Sequence, residues 1–408
     1  MKRLLIVIFL GLSIHCQADY LEVYRNTSIR SEAKAGSDEI YALKAGDLLV
    51  LLDSGIQYNG YYHVQYPGST LKGYIYRSLV KRIKGDFPGF YNTDNALEVT
   101  VIDVDAGLSA FIKLPNGKVM VYDAGRYNRA YDYIKSKYPI HSDIEYLILS
   151  HTDADHWGAA KELAENYNLK HVLRTDYRDN SRSKTLNDGV AAIQKNTSTI
   201  DMNLSVPGNE IVPGTLIYNE DGVEMYFLMG FGTLPPSWES YSTSKKNNGV
   251  SITVKLVYGD HSILFTGDAV GRIDGEDGCI ASEKFMLDTL SEEMIDTDVL
   301  IAAHHGADNA NCMGFIEAAS PDYVVFSAGH KYHHPNLSTA LRFISYGIPP
   351  DHMFRTDTYD YESGGSEPHE QEWNYPPTTT DQDIVGDDHV RIVIPYNGNI
   401  QIGYELEE

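Results

Sequence analysis

Apolar residues are spaced in two different ways along this chain. From Tyr20 to about Ile83 they come in short stretches cut by polar turns, such as Leu48-Leu49-Val50-Leu51-Leu52, Tyr61-Tyr62-His63-Val64 and Gly73-Tyr74-Ile75-Tyr76. Brief strands with frequent turns predict a small β-barrel. Beyond residue 97 the runs lengthen. Residues 99–104, 144–149, 299–303 and 323–326 read as strands. Residues 110–114 and 119–122 form a hairpin closed at Pro115-Asn116-Gly117, and 251–258 with 262–265 a second one turning at Gly259-Asp260. Residues 158–166 place Ala159, Ala160, Leu163 and Ala164 on one face and predict a helix. Residues 171–245 and 351–389 show little periodicity, so insertions and active-site loops are expected there. The acidic piece 351–388 lacks the Asp-x-Asp-x-Asp-Gly spacing of a calcium loop and reads as solvated.

This pattern divides the chain. Residues 1–18 carry Lys2 and Arg3, an apolar run from Leu4 to Leu12 and then Cys16-Gln17-Ala18, the layout of a secretory signal peptide. That run is far shorter than the roughly 20 apolar residues needed to span a bilayer, and no later run approaches that length. A small all-β domain over 19–84 follows, then a linker over 85–96 containing Phe87-Pro88-Gly89-Phe90, then a larger domain over 97–408. The expected location is secreted or periplasmic. In that setting Cys279 and Cys312 are able to pair, although spacing alone does not assign the bond.

Charge narrows the choice of partners. In 408 residues, 33 Lys+Arg face 57 Asp+Glu, a net charge of -24, which argues against binding nucleic acid or anionic membranes through broad basic patches. It leaves room for a phosphate substrate held locally by metal.

The candidate chemistry lies at strand ends. Asp123 follows one apolar run, and His151-Thr152-Asp153-Ala154-Asp155-His156 follows the next. Asp268 follows Phe265-Thr266-Gly267, and His304-His305 follow Ile301-Ala302-Ala303. Strand ends converge on one sheet edge, so these groups can meet in one cleft. Within residues 151–156 the spacing offers two ligand pairs facing opposite sides of a tight turn, which suits two adjacent metal ions. With no Cys-x-x-Cys present, ligands are expected from His, Asp and Glu. Three carboxylates make the site harder than an all-imidazole one, favouring Mn²⁺ or Mg²⁺ while leaving Zn²⁺ open.

Taken together, these motifs resemble the metallo-β-lactamase fold, and within it the hydrolase domain of ComEC-type DNA-uptake competence proteins, over about residues 97–346. The resemblance implies a four-layer αββα sandwich. It also implies two divalent metal ions, Zn or Mn, held by His151, Asp153, Asp155, His156, Asp268 and one of His304 or His305, with Asp155 also counted catalytic; Asp123 reads either as a support behind the ligands or as a structural hydrogen-bond acceptor for the loop. Asn247-Asn248-Gly249-Val250-Ser251 resembles the family's Asn-rich stretch and Tyr332-His333-His334-Pro335 its Tyr-Gly-His-Pro, so Asn248, Ser251 and His334 are expected at the substrate, with His334 contacting phosphate or protonating the leaving group. One departure is Val104-Asp105-Ala106-Gly107-Leu108-Ser109, where the family carries a polar residue at the Leu108 position. The first domain resembles a bacterial SH3 domain through Thr27-Ser28-Ile29-Arg30-Ser31-Glu32 and Gly73-Tyr74-Ile75. That implies cell-wall contact, with Tyr61, Tyr62 and Tyr74 either as contacts or as packing.

The expectation is therefore a secreted dinuclear metallohydrolase that uses a metal-bridging hydroxide on a phosphodiester, either DNA or a nucleotide. The alternatives are an amide, ester or lactone hydrolase held at peptidoglycan, or a catalytically silent wall-binding module.

Overall fold

The computed structural model describes residues 20–66, 71–83, 96–273, 278–329, 332–356, 378, 389–396 and 398–405. The expected signal peptide, the linker and most of the acidic piece 351–388 lie outside these residues. By internal contacts the chain divides into two units, Met1–Thr93 and Asp94–Glu408.

In the first unit, eight short strands form one antiparallel sheet whose interior is Leu21, Val23, Ile29, Leu43, Leu49, Leu51, Val64, Ile75 and Val80. Alternation sets this core: along Tyr20–Val23, Leu21 and Val23 point inward while Tyr20 and Glu22 do not. Tyr61 is buried and stacks edge-on to Tyr76, so it packs the unit. Tyr62 is half-buried against the same core, and Tyr74 lies against the His63 ring at 4.9 Å.

Two sheets form the larger unit. The first runs Ile200–Asn203, Asn168–Arg174, Asp143–Leu149, Val119–Tyr122, Ala110–Lys113, Ala96–Val101, Val390–Pro395, Gln401–Tyr404. The second runs Thr215–Glu220, Val223–Met229, Thr253–Tyr258, His261–Phe265, Val299–Ile301, Tyr323–Phe326, Met353–Arg355. Both strand faces are buried, and this explains the unbroken apolar runs. In Val119–Tyr122, Met120 and Tyr122 enter the core between the sheets while Val119 and Val121 meet helices. In the facing sheet Ile263 and Phe265 point inward, and Leu264 packs outward against a second set of helices. The layers are therefore helix, sheet, sheet, helix, the expected four-layer αββα sandwich.

In two places the local structure departs from the sequence reading. Regular elements run through 171–245: the strand Asn168–Arg174, the helix Lys184–Lys195 and the strands Ile200–Asn203, Thr215–Glu220 and Val223–Met229. Ile200–Asn203 and Thr215–Glu220 are edge strands with exposed positions, so their apolar signal is weak. The helix expected at 158–166 is preceded by a helical turn, Ala154–Trp157, inside the metal motif itself, and continues as Ala160–Asn166. Leu108, where the family carries a polar residue, is buried in the core between the sheets.

Candidate metal centre

Parallel strands carry the site. Val119–Tyr122, Asp143–Leu149 and Asn168–Arg174 run parallel, as do His261–Phe265, Val299–Ile301 and Tyr323–Phe326. Their carboxyl ends deliver Asp123 and His151 from one sheet, and Asp268, His304 and His334 from the other, to a single edge. Close approach of the two sheets depends on Gly267, whose φ is +52°; a Cβ there would lie 2.7 Å from that of Ser150.

Asp268 sits at the centre and is buried. Its Oδ1 lies 3.2 Å from His156 Nε2 and 3.4 Å from His305 Nε2, while Oδ2 lies 3.7 Å from both His151 Nε2 and His304 Nε2. Each carboxylate oxygen thus faces its own pair of imidazoles. The sequence leaves His304 and His305 open as alternatives, and the structure brings both to Asp268, on opposite oxygens. Two donor sets arise in which all atoms lie within 4.8 Å of one another: His151, His156 and Asp268, and Asp155, His156 and His305. Asp153 Oδ2 is 3.8 Å from His151 Nε2, and Arg178 donates to its Oδ1 at 2.7 Å.

The imidazoles are oriented from behind. Asp123, fully buried, accepts from the Ser150 amide and hydroxyl and lies 2.7 Å from His156 Nδ1. His305 Nδ1 meets the Ser327 carbonyl at 2.7 Å, and His304 Nδ1 meets Asn309 Oδ1 at 2.7 Å. Fixing one ring nitrogen aims the other at the centre. Both His304 and His305 have left-handed backbones, φ +51° and +56°. The adjoining peptide is clamped by Asn311, which accepts from Ala303 N and donates to Ala303 O. The Asn311 and Cys312 amides in turn donate to the buried carboxylate of Glu283, and a Cys279–Cys312 disulfide closes this bracket.

Electrostatics favour a cation here. Burial pushes Asp268 up, but His156, His305, His304 and His151 outweigh it and hold the carboxyl well below the usual range. Burial resists charge on His156, yet Asp268 and Asp123 lift it well above the ordinary imidazole value. Asp153, pushed up by burial, is brought down to about 2 by His151 and Arg178. Two buried atoms aimed at the centre, His151 Nε2 and Asp268 Oδ1, have no hydrogen-bond partner. Buried polar atoms left without partners are costly, and these residues therefore fit divalent cations as the missing partners.

The remaining expected residues fall on both sides of the cleft. His334 and Asn248 line a cavity of about 660 Å³ that opens onto Asp153, Asp155 and Asp268. Burial, with His304 and His305 adding repulsion, lowers His334 to about 3, and its ring stacks 6.2 Å from that of His305. The Asn248 amide lies 3.0 Å from His304 Nε2; with its oxygen turned there, its nitrogen donates to Asp153 Oδ2 at 3.2 Å. Ser251, expected at the substrate, is instead fully buried and accepts from the Asp268 amide, which makes it a support for the turn. Sequence reasoning misses Ser150, Asn309, Asn311, Glu283 and Arg178, none of which belongs to a motif with a readable spacing.

The chain is 26% identical over 273 residues to "Competence protein ComA" of Neisseria gonorrhoeae, covering 65% of this chain and 31% of that protein. It is 24% identical over 261 residues to "ComE operon protein 3" of Bacillus subtilis, covering 59% and 29%. The chain thus spans under a third of the length of these curated relatives. Among solved structures, the metallo-beta-lactamase fold protein YhfI of Bacillus subtilis is similar at 12% identity and TM-score 0.37, covering 63% of this chain and 95% of that one. Residues 102–330 match the Metallo-beta-lactamase superfamily, a span that includes Asp123, Asp153, Asp155, Asp268 and the four histidines around Asp268. The chain belongs to the metallo-β-lactamase superfamily.

Proposed function

We propose that this protein is a metal-dependent hydrolase that cleaves phosphodiesters using two divalent metal ions, Zn²⁺ or Mn²⁺. The observation that carries the proposal is Asp268, whose two oxygens each face a separate pair of imidazoles. A metal pair held there would activate water and neutralise charge on the phosphoryl group. His151, Asp153 and His304 would hold one ion, and Asp155, His156 and His305 the other, with Asp268 shared between them. Asp123, the Ser327 carbonyl and Asn309 keep the imidazoles aimed, while Arg178 fixes Asp153. His334, uncharged at neutral pH, donates a hydrogen bond to a phosphoryl or leaving-group oxygen.

The phosphodiester class is supported by the likeness to a relative named a competence protein and by a cleft that offers cationic and hydrogen-bond donors beside the carboxylates. Export is supported by the pattern of residues 1–18 and by the Cys279–Cys312 disulfide, a bond that persists in oxidising compartments. No helix among the described residues is long and apolar enough to cross a membrane.

The test is hydrolysis of bis(p-nitrophenyl) phosphate and of single-stranded DNA with Mn²⁺ or Zn²⁺, beside a His151→Ala/Asp268→Asn double variant. Metal-dependent turnover that falls by more than about a hundredfold in the variant is expected. A metal-loaded protein that turns over neither substrate contradicts the reading and leaves an amide or ester of the cell envelope as the target.

A further inference from the structure

One corner of the cleft is built in a way that metal binding does not explain. Tyr127 lines the cavity and is 64% exposed, yet its backbone is left-handed at φ +54°, a conformation that bulky residues rarely adopt. The backbone is tightly packed at this point. Gly158 follows the helical turn Ala154–Trp157 that bears Asp155 and His156, and it approaches so closely that a Cβ there would lie 2.5 Å from Tyr127 N and O. Gly158 N also donates to the Gly125 carbonyl at 2.7 Å. The guanidinium of Arg126 lies 4.9 Å from the Tyr127 ring centre and donates to Asp105 at 3.2 Å, so the cation is held over the ring at the cleft wall.

The result is an exposed aromatic ring carrying a cation, locked to the element that supplies two of the groups around the centre. An aromatic ring left in water loses the burial that normally stabilises it, and holding it on a strained backbone adds a further cost. Such an arrangement matches a ligand with a flat aromatic ring on one side and an anion on the other, since rings stack on tyrosine and the guanidinium favours negative charge.

We propose that Arg126 and Tyr127 form a subsite for a nucleobase carried on the ester whose phosphate sits at the metal centre. This rests on the phosphodiester reading and makes it narrower: the substrate presents an unpaired base, because a base within a duplex stack has no free face to offer.

The test is equilibrium binding to the Mn²⁺-loaded protein of two phosphomonoesters, thymidine 5′-monophosphate and 2-deoxyribose 5-phosphate, which differ in the base. The expected result is a preference for the nucleotide of about tenfold. Tyr127→Phe should keep that preference. Tyr127→Asn, chosen because asparagine tolerates the left-handed backbone, should bring the ratio to about one. Equal affinities in the wild type, or a preference that survives in Tyr127→Asn, overturns the subsite alone. Failure to bind either ester overturns the placement of a nucleotide phosphate at the metal centre, while the phosphodiester reading itself falls only if the loaded protein also leaves bis(p-nitrophenyl) phosphate and single-stranded DNA uncleaved.

Discussion

At the scale of single residues, the centre depends on how a buried carboxylate aims an imidazole. Asp123 touches His156 Nδ1 at 2.7 Å and is itself held by Ser150, so the Nε2 of His156 can point only towards Asp268. Asp123→Asn keeps the size but removes the charge and one acceptor. The variant should fold and should bind metal about 10- to 100-fold more weakly, the usual cost of losing a partner behind a histidine ligand. Competition with a metal-binding dye measures this, and an unchanged affinity would mean that Asp123 only shapes the loop. His334 fits the same pattern of neutral, directional groups: lowered to about 3, it offers a hydrogen bond and no stored proton at pH 7.

At the scale of elements, the bracket around His304 and His305 is the part that the sequence conceals. Glu283, from the helix Ala281–Thr289, is fully buried and receives the amides of Asn311 and Cys312. Burial raises its carboxyl to about 7 against the pull of those amides and of Arg342 and Arg272. The ordinary value is 4.5, so between about pH 4.5 and 7 the folded chain keeps a proton that the unfolded chain has released. Its contribution to stability is therefore greatest at low pH and declines as pH rises through that window, by about 3 kcal/mol in all. Glu283→Gln cannot titrate. Its deficit in unfolding free energy against the wild type should be largest near pH 5 and should narrow towards pH 8, as read by denaturant titration. A deficit independent of pH would contradict this.

The same elements divide what the sequence makes legible from what it hides. His151 through His156, Thr266-Gly267-Asp268 and His304-His305-Gly306 are readable because each follows an apolar run, and a buried strand that ends in clustered His and Asp delivers ligands to a sheet edge. Asn311 and Glu283 act through backbone amides across 28 residues of sequence, and no local pattern marks such a contact. The strands at 200–203 and 215–220 are hidden by their exposed edges, and Ser251 is misassigned because serine serves turns and ligands alike. Sequence cannot decide between His304 and His305, since the left-handed backbone that sends both rings to Asp268 leaves no trace in residue type.

At the scale of the whole molecule, the centre joins two sheets that otherwise meet through apolar side chains. Asp123, His151, Asp153, Asp155 and His156 come from one sheet's loops, and Asp268, His304 and His305 from the other's. Asp153, Asp155 and Asp268 meet at the sheet edge of a chain whose net charge is already -24, and the buried His151 Nε2 and Asp268 Oδ1 make no hydrogen bond there. These groups fit divalent cations, in keeping with membership of the metallo-β-lactamase superfamily. The most direct measurement is the number of Mn²⁺ ions bound per chain by equilibrium dialysis, for the wild type and for Asp268→Asn. Two ions in the wild type and fewer than one in the variant are predicted; one ion or none in the wild type, or two retained without the Asp268 charge, would contradict the shared-carboxylate centre.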